Sequence, residues 1–317
     1  MNQHTPLAPG AASLLERAAE MYDFGAALRR GAPAAAPAAD AVELPTPSAQ
    51  AEAQPEAPYE PAPELRVCRQ VPARDLAAVD REGLEEAGFI LPDSPVGGLA
   101  EEFRIVKRQL LLAAAEGAGT EGGGKRRSIL VCSSKPDEGK TFCAVNLALS
   151  LAAEKDLEVL LVDGDFSKPE VLSILGIEGG AGLIDAVADP SLDPESLVIR
   201  TDVAGLSVLP AGRHAANVTE LLASARTRDV LSELTNASDR RIVLFDSPPA
   251  LMASPASVLA THVGQVLMIV RADQTTEAEL REAIGLLSGC DRISLLLNGA
   301  GFAATGRRFG SYYGYSQ

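Results

Sequence analysis

An α/β fold with a doubly wound, mostly parallel sheet follows from two observations. First, apolar runs recur at 128–132, 158–162, 206–209, 241–245, 265–271 and 293–297, and helical patterns alternate with them at about 140–153, 169–175, 182–188, 217–235 and 276–288. Strands alternating with helices build parallel sheets covered on both faces, and such strands read as continuous apolar runs. Second, Ser128-Ile-Leu-Val-Cys-Ser-Ser-Lys-Pro-Asp-Glu-Gly-Lys-Thr141 leads from a short apolar strand through a loop into Gly-Lys-Thr and a helix. That order is the context of a phosphate-binding P-loop.

The loop's chemistry is anion capture. Backbone N–H groups of the loop and helix N-terminus converge on one spot, and the helix dipole adds positive potential there. Gly139 lets the backbone approach phosphates, Lys140 brings a full charge to the β/γ oxygens, and the Thr141 hydroxyl is a Mg²⁺ ligand. The strict pattern has glycine where this chain has Ser134. A lone Gly-Lys-Thr after a strand also opens ordinary helices, so other strand ends must decide the matter.

Those ends carry acids. The run 158–162 leads into Asp163-Gly164-Asp165, and the run 241–245 leads into Asp246-Ser-Pro-Pro249. Ligands in open α/β sheets bind beyond the C-terminal ends of the strands. One such Asp is usually a turn residue. Three of them beside Lys140 form a set that a bound Mg²⁺ would neutralise while bridging nucleotide phosphates.

The chain before the core changes character several times. Ser13-Leu-Leu-Glu16 is a capping box, and it predicts a short amphipathic helix to about residue 29 within a segment 1–30. Residues 31–65 hold eight of the 21 prolines, six acids and no Lys or Arg, the composition of a disordered linker. A pre-domain segment, 66–92, contains a short helical pattern from Asp80 to Ala87 with Gly88 as its cap. A stronger helix is expected from Leu99 to Ala115, where Glu101, Arg104 and Lys107 fall three apart on one face. Gly-rich residues 117–124 separate it from the first core strand.

Composition narrows the function. A hydrophobic content of 46% with only 4% aromatics predicts a core of Leu, Val, Ile and Ala. A net charge of −15 argues against nucleic acid and against non-specific binding to anionic membranes. Cysteines 68, 132, 143 and 290 form no C-x-x-C pair, which fits a reduced compartment. No apolar run approaches the ~18 residues of a membrane span, and the start lacks the pattern of a signal peptide. A cytoplasmic protein is expected, recruited to the inner membrane only through a partner.

The strand-end residues resemble those of the bacterial tyrosine kinases. Asp163-Gly-Asp165 is similar to that family's second Walker motif and Leu244-Phe-Asp-Ser-Pro-Pro249 to its third. Gly182-Leu-Ile-Asp185, Leu209-Pro-Ala-Gly212, Thr219-Glu-Leu-Leu222, Val263-Gly-Gln265 and Leu297-Asn298 agree, and Glu101-Glu-Phe-Arg104-Ile-Val-Lys107 resembles the oligomerisation motif E-x-x-R-x-x-R. The likeness covers about 93–317, with a kinase domain over 93–305 on the P-loop fold shared with septum-positioning and partitioning ATPases. It is greatest to the exosortase-associated branch tied to exopolysaccharide biosynthesis. Lys107 replaces an Arg, Ser167-Lys168 stands where many members have Arg, and Asp137 replaces a common glycine. Asp tolerates a left-handed backbone better than most residues, but its charge must point away from a triphosphate.

The resemblance implies an ATP- and Mg²⁺-dependent protein-tyrosine autokinase. Nucleotide would contact Ser134, Lys135, Pro136, Asp137, Glu138, Gly139, Lys140, Thr141 and Phe142, with Asn298 at the adenine. Thr141, Asp163, Asp165 and Asp246 would hold the metal, with Asp163 also accepting the tyrosine proton. Implied partners are copies of itself in a ring, contacting through Glu101, Arg104 and Lys107, a membrane polysaccharide copolymerase as activator and a cognate phosphatase. The phosphoacceptors would be Tyr312, Tyr313 and Tyr315 in the segment 306–317, which is too rich in Gly and Ser to form a core. A partitioning-type ATPase and a catalytically weak ATP-binding scaffold are the competing readings.

Overall fold

The computed structural model describes residues 76–92, 97–116, 123–213 and 217–300. The expected helix at 13–29, the linker 31–65 and the tyrosine cluster at 312–315 lie outside the described residues. Seven strands form one sheet: β1 (Ser128–Ser133), β2 (Glu158–Asp163), β3 (Ile199–Arg200), β4 (Leu206–Leu209), β5 (Arg241–Asp246), β6 (Gln265–Arg271) and β7 (Ile293–Asn298). Their order is β3-β4-β2-β5-β1-β6-β7. Every pairing is parallel except that of β3 with β4.

The helices are α1 (Arg81–Glu86), α2 (Gly98–Ala115), α3 (Lys140–Ala152), α4 (Val171–Leu175), α5 (Leu183–Ala188), α6 (Val218–Leu222), α7 (Ala225–Asn236), α8 (Ser254–His262) and α9 (Glu277–Leu286). They cover both faces of the sheet, so the central strands alternate between two cores. Ile129 and Val131 face a core with Phe103, Leu110 and Leu147 from α2 and α3. Leu130 and Cys132 face the other, with Ile184, Val230 and Leu259 from α5, α7 and α8. Each such Leu or Ile contributes about 1.5–3 kcal/mol on burial. This two-sided burial is why the strands are visible in the sequence as unbroken apolar runs.

Three elements differ from expectation. The helix expected over 217–235 is broken in two, because Ser224 is extended and caps α7, its Oγ accepting from Thr227 N at 3.3 Å. β3 and α8 were not predicted: β3 has two residues, and α8 starts at Ser254, soon after the Pro248-Pro249 turn. Lys107 is the third difference. It is 5% exposed, and its Nζ lies 2.8 Å from both the Ser150 carbonyl and the Glu154 carboxylate, pinning α2 to α3. The expected Glu101-Arg104-Lys107 face therefore does not exist: Glu101 and Arg104 pair with each other at the surface, while Lys107 turns inward. Two steps of three residues around a 3.6-residue helix turn the last side chain about 120° from the first, toward the core.

Residues 76–92 lie against the core. Ala77 N donates to Arg200 O at 2.8 Å and Val79 N to Asp202 Oδ1 at 2.9 Å. Ile90 N donates to Asn146 Oδ1 at 2.8 Å, and Asn146 in turn donates to Phe142 O at 2.9 Å within α3. This segment thus ends against the helix that begins at the phosphate loop.

Candidate active site

The site is built where β1, β2 and β5 end. β5 lies between β1 and β2, and the register of β2 with β5 sets Asp163 beside Asp246. The loop after β1 turns through Asp137 (φ 63°) and Gly139 (φ 89°), both left-handed, before α3 starts at Lys140. Asp137 takes the strained conformation with its side chain exposed. At Gly139 a Cβ would lie 2.2 Å from Asn298 Nδ2, so only glycine fits.

Lys140 Nζ reaches 2.9 Å from Asp165 Oδ2 and 3.3 Å from Thr141 Oγ1. Burial opposes its charge, but Asp246 and Asp165 outweigh burial and raise its pKa above the ordinary lysine value. Asp163 is held by the backbone: its oxygens accept from Asp165 N at 3.3 Å and Val171 N at 3.1 Å. Burial, reinforced by the Asp246 charge, pushes its pKa up to about 7. Burial also pushes Asp246 up to about 6, although the Lys140 charge pulls it back. Asp246 Oδ1 is buried with no hydrogen-bond partner among the described residues.

That orphaned oxygen bears on the metal. Among the described residues no group of three His, Cys, Asp or Glu side chains is gathered to hold an ion. Asp163 is spent on amides and Asp165 on Lys140 and Lys168 N, so the four expected metal residues do not form one ligand set. Mg²⁺ rarely needs such a cage; it is held by one or two carboxylates, water and substrate phosphates. Asp246 Oδ1 with the Thr141 hydroxyl fits that requirement.

The remaining loop residues divide by role. Pro136, Asp137, Gly139, Lys140, Thr141 and Phe142 line a cavity of about 490 Å³ together with Asp165. Glu138 is instead a buried brace: Oε2 accepts from Lys135 N at 2.9 Å, Oε1 from the Thr275 hydroxyl, and its carbonyl from Asn298 Nδ2 at 2.9 Å. Lys135 reaches away to Glu279 on α9 at 2.8 Å, and that contact holds the Glu279 carboxyl down at about 2. Ser134 is buried, its hydroxyl unpartnered among the described residues. Residues not anticipated are Thr275 and Glu279 as loop supports, and Phe89, which lines the cavity and packs against Phe142 with the rings tilted at 43° and their centres 4.9 Å apart. Nothing local marks Phe89; only its position after the Gly88 turn brings it to the loop.

A parallel sheet with Gly-Lys-Thr and two acid-tipped neighbouring strands at one edge defines a P-loop nucleotide-binding domain. No protein-family model matches the chain. The chain is 28% identical over 196 residues to the putative tyrosine-protein kinase CapB of Staphylococcus aureus, covering 62% of this chain and 81% of that one. It is 28% identical over 202 residues to the tyrosine-protein kinase YwqD of Bacillus subtilis, covering 63% and 81%. The putative tyrosine-protein kinase EpsB of Ralstonia nicotianae is 32% identical over 202 residues, but that match spans only 26% of EpsB. Among solved structures, the BceF tyrosine kinase domain superposes with a TM-score of 0.55 at 27% identity, covering 71% of this chain and 92% of that one. The kinase domain of the Escherichia coli tyrosine kinase ETK shares the fold, with a TM-score of 0.54 at 22% identity over 72% and 92%. The chain is related to the bacterial tyrosine kinases.

Proposed function

We propose that this chain is an ATP-dependent protein-tyrosine autokinase that phosphorylates Tyr312, Tyr313 and Tyr315 and regulates exopolysaccharide biosynthesis or export. The observation that carries the reading is the Lys140–Asp165 pair beside the unpaired Asp246 oxygen at a phosphate loop, in a chain whose relatives are named tyrosine-protein kinases. Lys140 and the loop amides hold the phosphates and stabilise charge on the transferring group. Bound Mg²⁺ supplies further neutralisation of the phosphate oxygens. Asp246 and Thr141 are the residues placed to hold it. Asp163, whose pKa burial lifts to about 7, is the carboxylate that takes the phenolic proton. Most of the catalysis asked of such a site is positioning and electrostatics.

The proposed partners are other copies of the chain, a membrane copolymerase as activator and a phosphatase that resets the tyrosines. Arg104 is exposed and Glu101 half-buried beside it, and these two are the residues we assign to a subunit contact. Purified protein incubated with radiolabelled Mg·ATP, with phosphosites mapped by mass spectrometry, tests the reading. Label on the tail tyrosines that disappears in Lys140→Ala supports it. Tight ATP binding without transfer, even with an activator fragment present, would instead favour an ATP-binding scaffold. The Asp137 charge at the loop and Lys168 in place of Arg motivate that second reading.

A further inference from the structure

A second polar cavity opens at the other end of β1 from the phosphate loop. The chain enters β1 through a short 3-10 helix, Gly123–Arg127, that is fixed from behind. The buried Gln265 donates from Nε2 to Arg126 O at 2.7 Å and to Leu110 O at 3.2 Å. A Cβ at Gly264 would lie 2.5 Å from the Lys125 carbonyl, so only glycine lets the turn lie this close to β6. In front of it is a cavity of about 390 Å³, bounded by Lys125, by α7 and by the last residues of α8. Lys125, Arg228 and His262 line it, and no Asp or Glu does, in a chain with a net charge of −15. Lys125 Nζ donates to a carbonyl, that of Thr261, at 2.8 Å, and Arg228 has Asp229 only at 3.8 Å. His262 Nε2 donates to Leu222 O at 3.2 Å. Burial holds the ring's pKa below the ordinary histidine value; the Leu222 carbonyl opposes this, and the Lys125 and Arg228 charges add to it.

The rest of the wall is hydroxyl and amide, with Leu231 its one apolar side chain. The Thr235 hydroxyl donates to Leu231 O and the Thr261 hydroxyl to Val258 O, each at 2.7 Å. Ser128 Oγ lies 2.8 Å from Thr235 Oγ1 and extends the same chain. With their protons spent in this way, the two threonine oxygens are left as acceptors. Cations with no carboxylate close by draw an anion, and Arg and Lys together suit phosphate oxygens. Acceptor hydroxyls draw hydroxyl donors. A bare anion would set its own oxygens against those acceptors, and an apolar ligand would find a single leucine. We propose that this cavity binds a phosphate monoester of a sugar, with the phosphate on Lys125 and Arg228 and the sugar hydroxyls on Thr235 and Thr261. The volume lies within the range of built ligand sites. The site owes nothing to the phosphate loop, which follows Ser133 at the far end of the strand that Ser128 begins.

Calorimetric titration of the full chain tests this without turnover, so the result does not depend on the kinase reading. The probes are glucose 6-phosphate and ribose 5-phosphate, with glucose and inorganic phosphate as the two halves of the ligand. Saturable binding of at least one sugar phosphate is expected, with each half binding about tenfold more weakly or worse, the loss expected when one set of charge-assisted or neutral hydrogen bonds is removed. Lys125 and Arg228 are exposed, so Lys125→Glu and Arg228→Glu leave the core alone, and each should weaken the sugar phosphate by at least about tenfold. Lys155→Glu, an equal charge change at an exposed residue in the turn after α3, is the control and should bind like wild type. Lys140→Ala removes the cation of the phosphate loop and should also bind like wild type. A melting curve for each variant shows that it is folded. No saturable binding of either sugar phosphate, inorganic phosphate binding as tightly as they do, or wild-type affinity in Arg228→Glu would overturn the proposal. Loss of binding in Lys140→Ala with Arg228→Glu unaffected would place the ligand at the phosphate loop and overturn it too.

Discussion

Removing the Lys140 ammonium tests whether three acids and one cation form a single electrostatic unit. In Lys140→Ala, Asp165 loses a partner at 2.9 Å in a pair whose side chains are 12% and 6% exposed. Taking one member from a buried ion pair costs about 3–5 kcal/mol when the other must stay charged. The acids can escape part of that cost by binding protons. Asp246 already sits up at about 6 because of burial, and the Lys140 charge is what holds it from rising further. Its folded pKa then moves further above the unfolded value, so the stability it contributes is present at low pH and lost as pH rises through the folded pKa. The gap between variant and wild type should therefore be small at pH 5.5 and approach about 3 kcal/mol at pH 8. For a domain of this size that is a Tm difference of roughly 6–12 °C. Calorimetry of metal-free protein at both pH values reads it. Phosphotransfer at pH 8 and 20 °C, where the fold survives, should fall by about 10²–10³ or more. Equal Tm values at pH 8, or wild-type transfer in the variant, would refute the reasoning.

Three further outcomes follow from named groups. With chelator present, Asp163 at about 7 lies above its unfolded value, so it contributes stability at pH 5 that is lost by pH 8; Asp163→Asn should flatten that fall in Tm relative to wild type. Burial pushes the Cys132 thiol up to about 11 and Cys143 to about 12, so both should resist a thiol reagent at pH 8 until denaturant is added, and fast native labelling of either would contradict the packing. Lys107→Ala should lower Tm without altering self-association, whereas Glu101→Ala with Arg104→Ala should leave stability within about 0.5 kcal/mol of wild type and shift light scattering toward monomer; the reverse pattern would assign the interface to the wrong side of α2.

The acids were legible because each follows an apolar run that a doubly covered sheet requires, so Asp163, Asp165 and Asp246 could be placed at one edge before any coordinates. Asp137 was legible too, since the loop demanded a left-handed residue and Asp accepts one at φ 63°. Lys107 was not: its identity suggests a solvated face, and the compensating Ser150 carbonyl lies on α3 and Glu154 in the turn after it. β3 escaped because two antiparallel residues carry no periodicity, and the break at Ser224 was hidden by Leu221 and Leu222 continuing the helical spacing. Glu138 reads in sequence as one more loop residue; its burial depends on Thr275 and Asn298, more than 130 positions away.

Asn298 ends β7, and the chain turns immediately after it at Gly299 in a left-handed conformation. The same residue's amide grips the carbonyl of Glu138 at 2.9 Å. The Asn298 carbonyl also accepts from Ala272 N at 2.8 Å, just past the end of β6. One asparagine at the edge of the sheet therefore ties the last strand, its neighbour and the phosphate loop together, and replacing it would loosen all three at once.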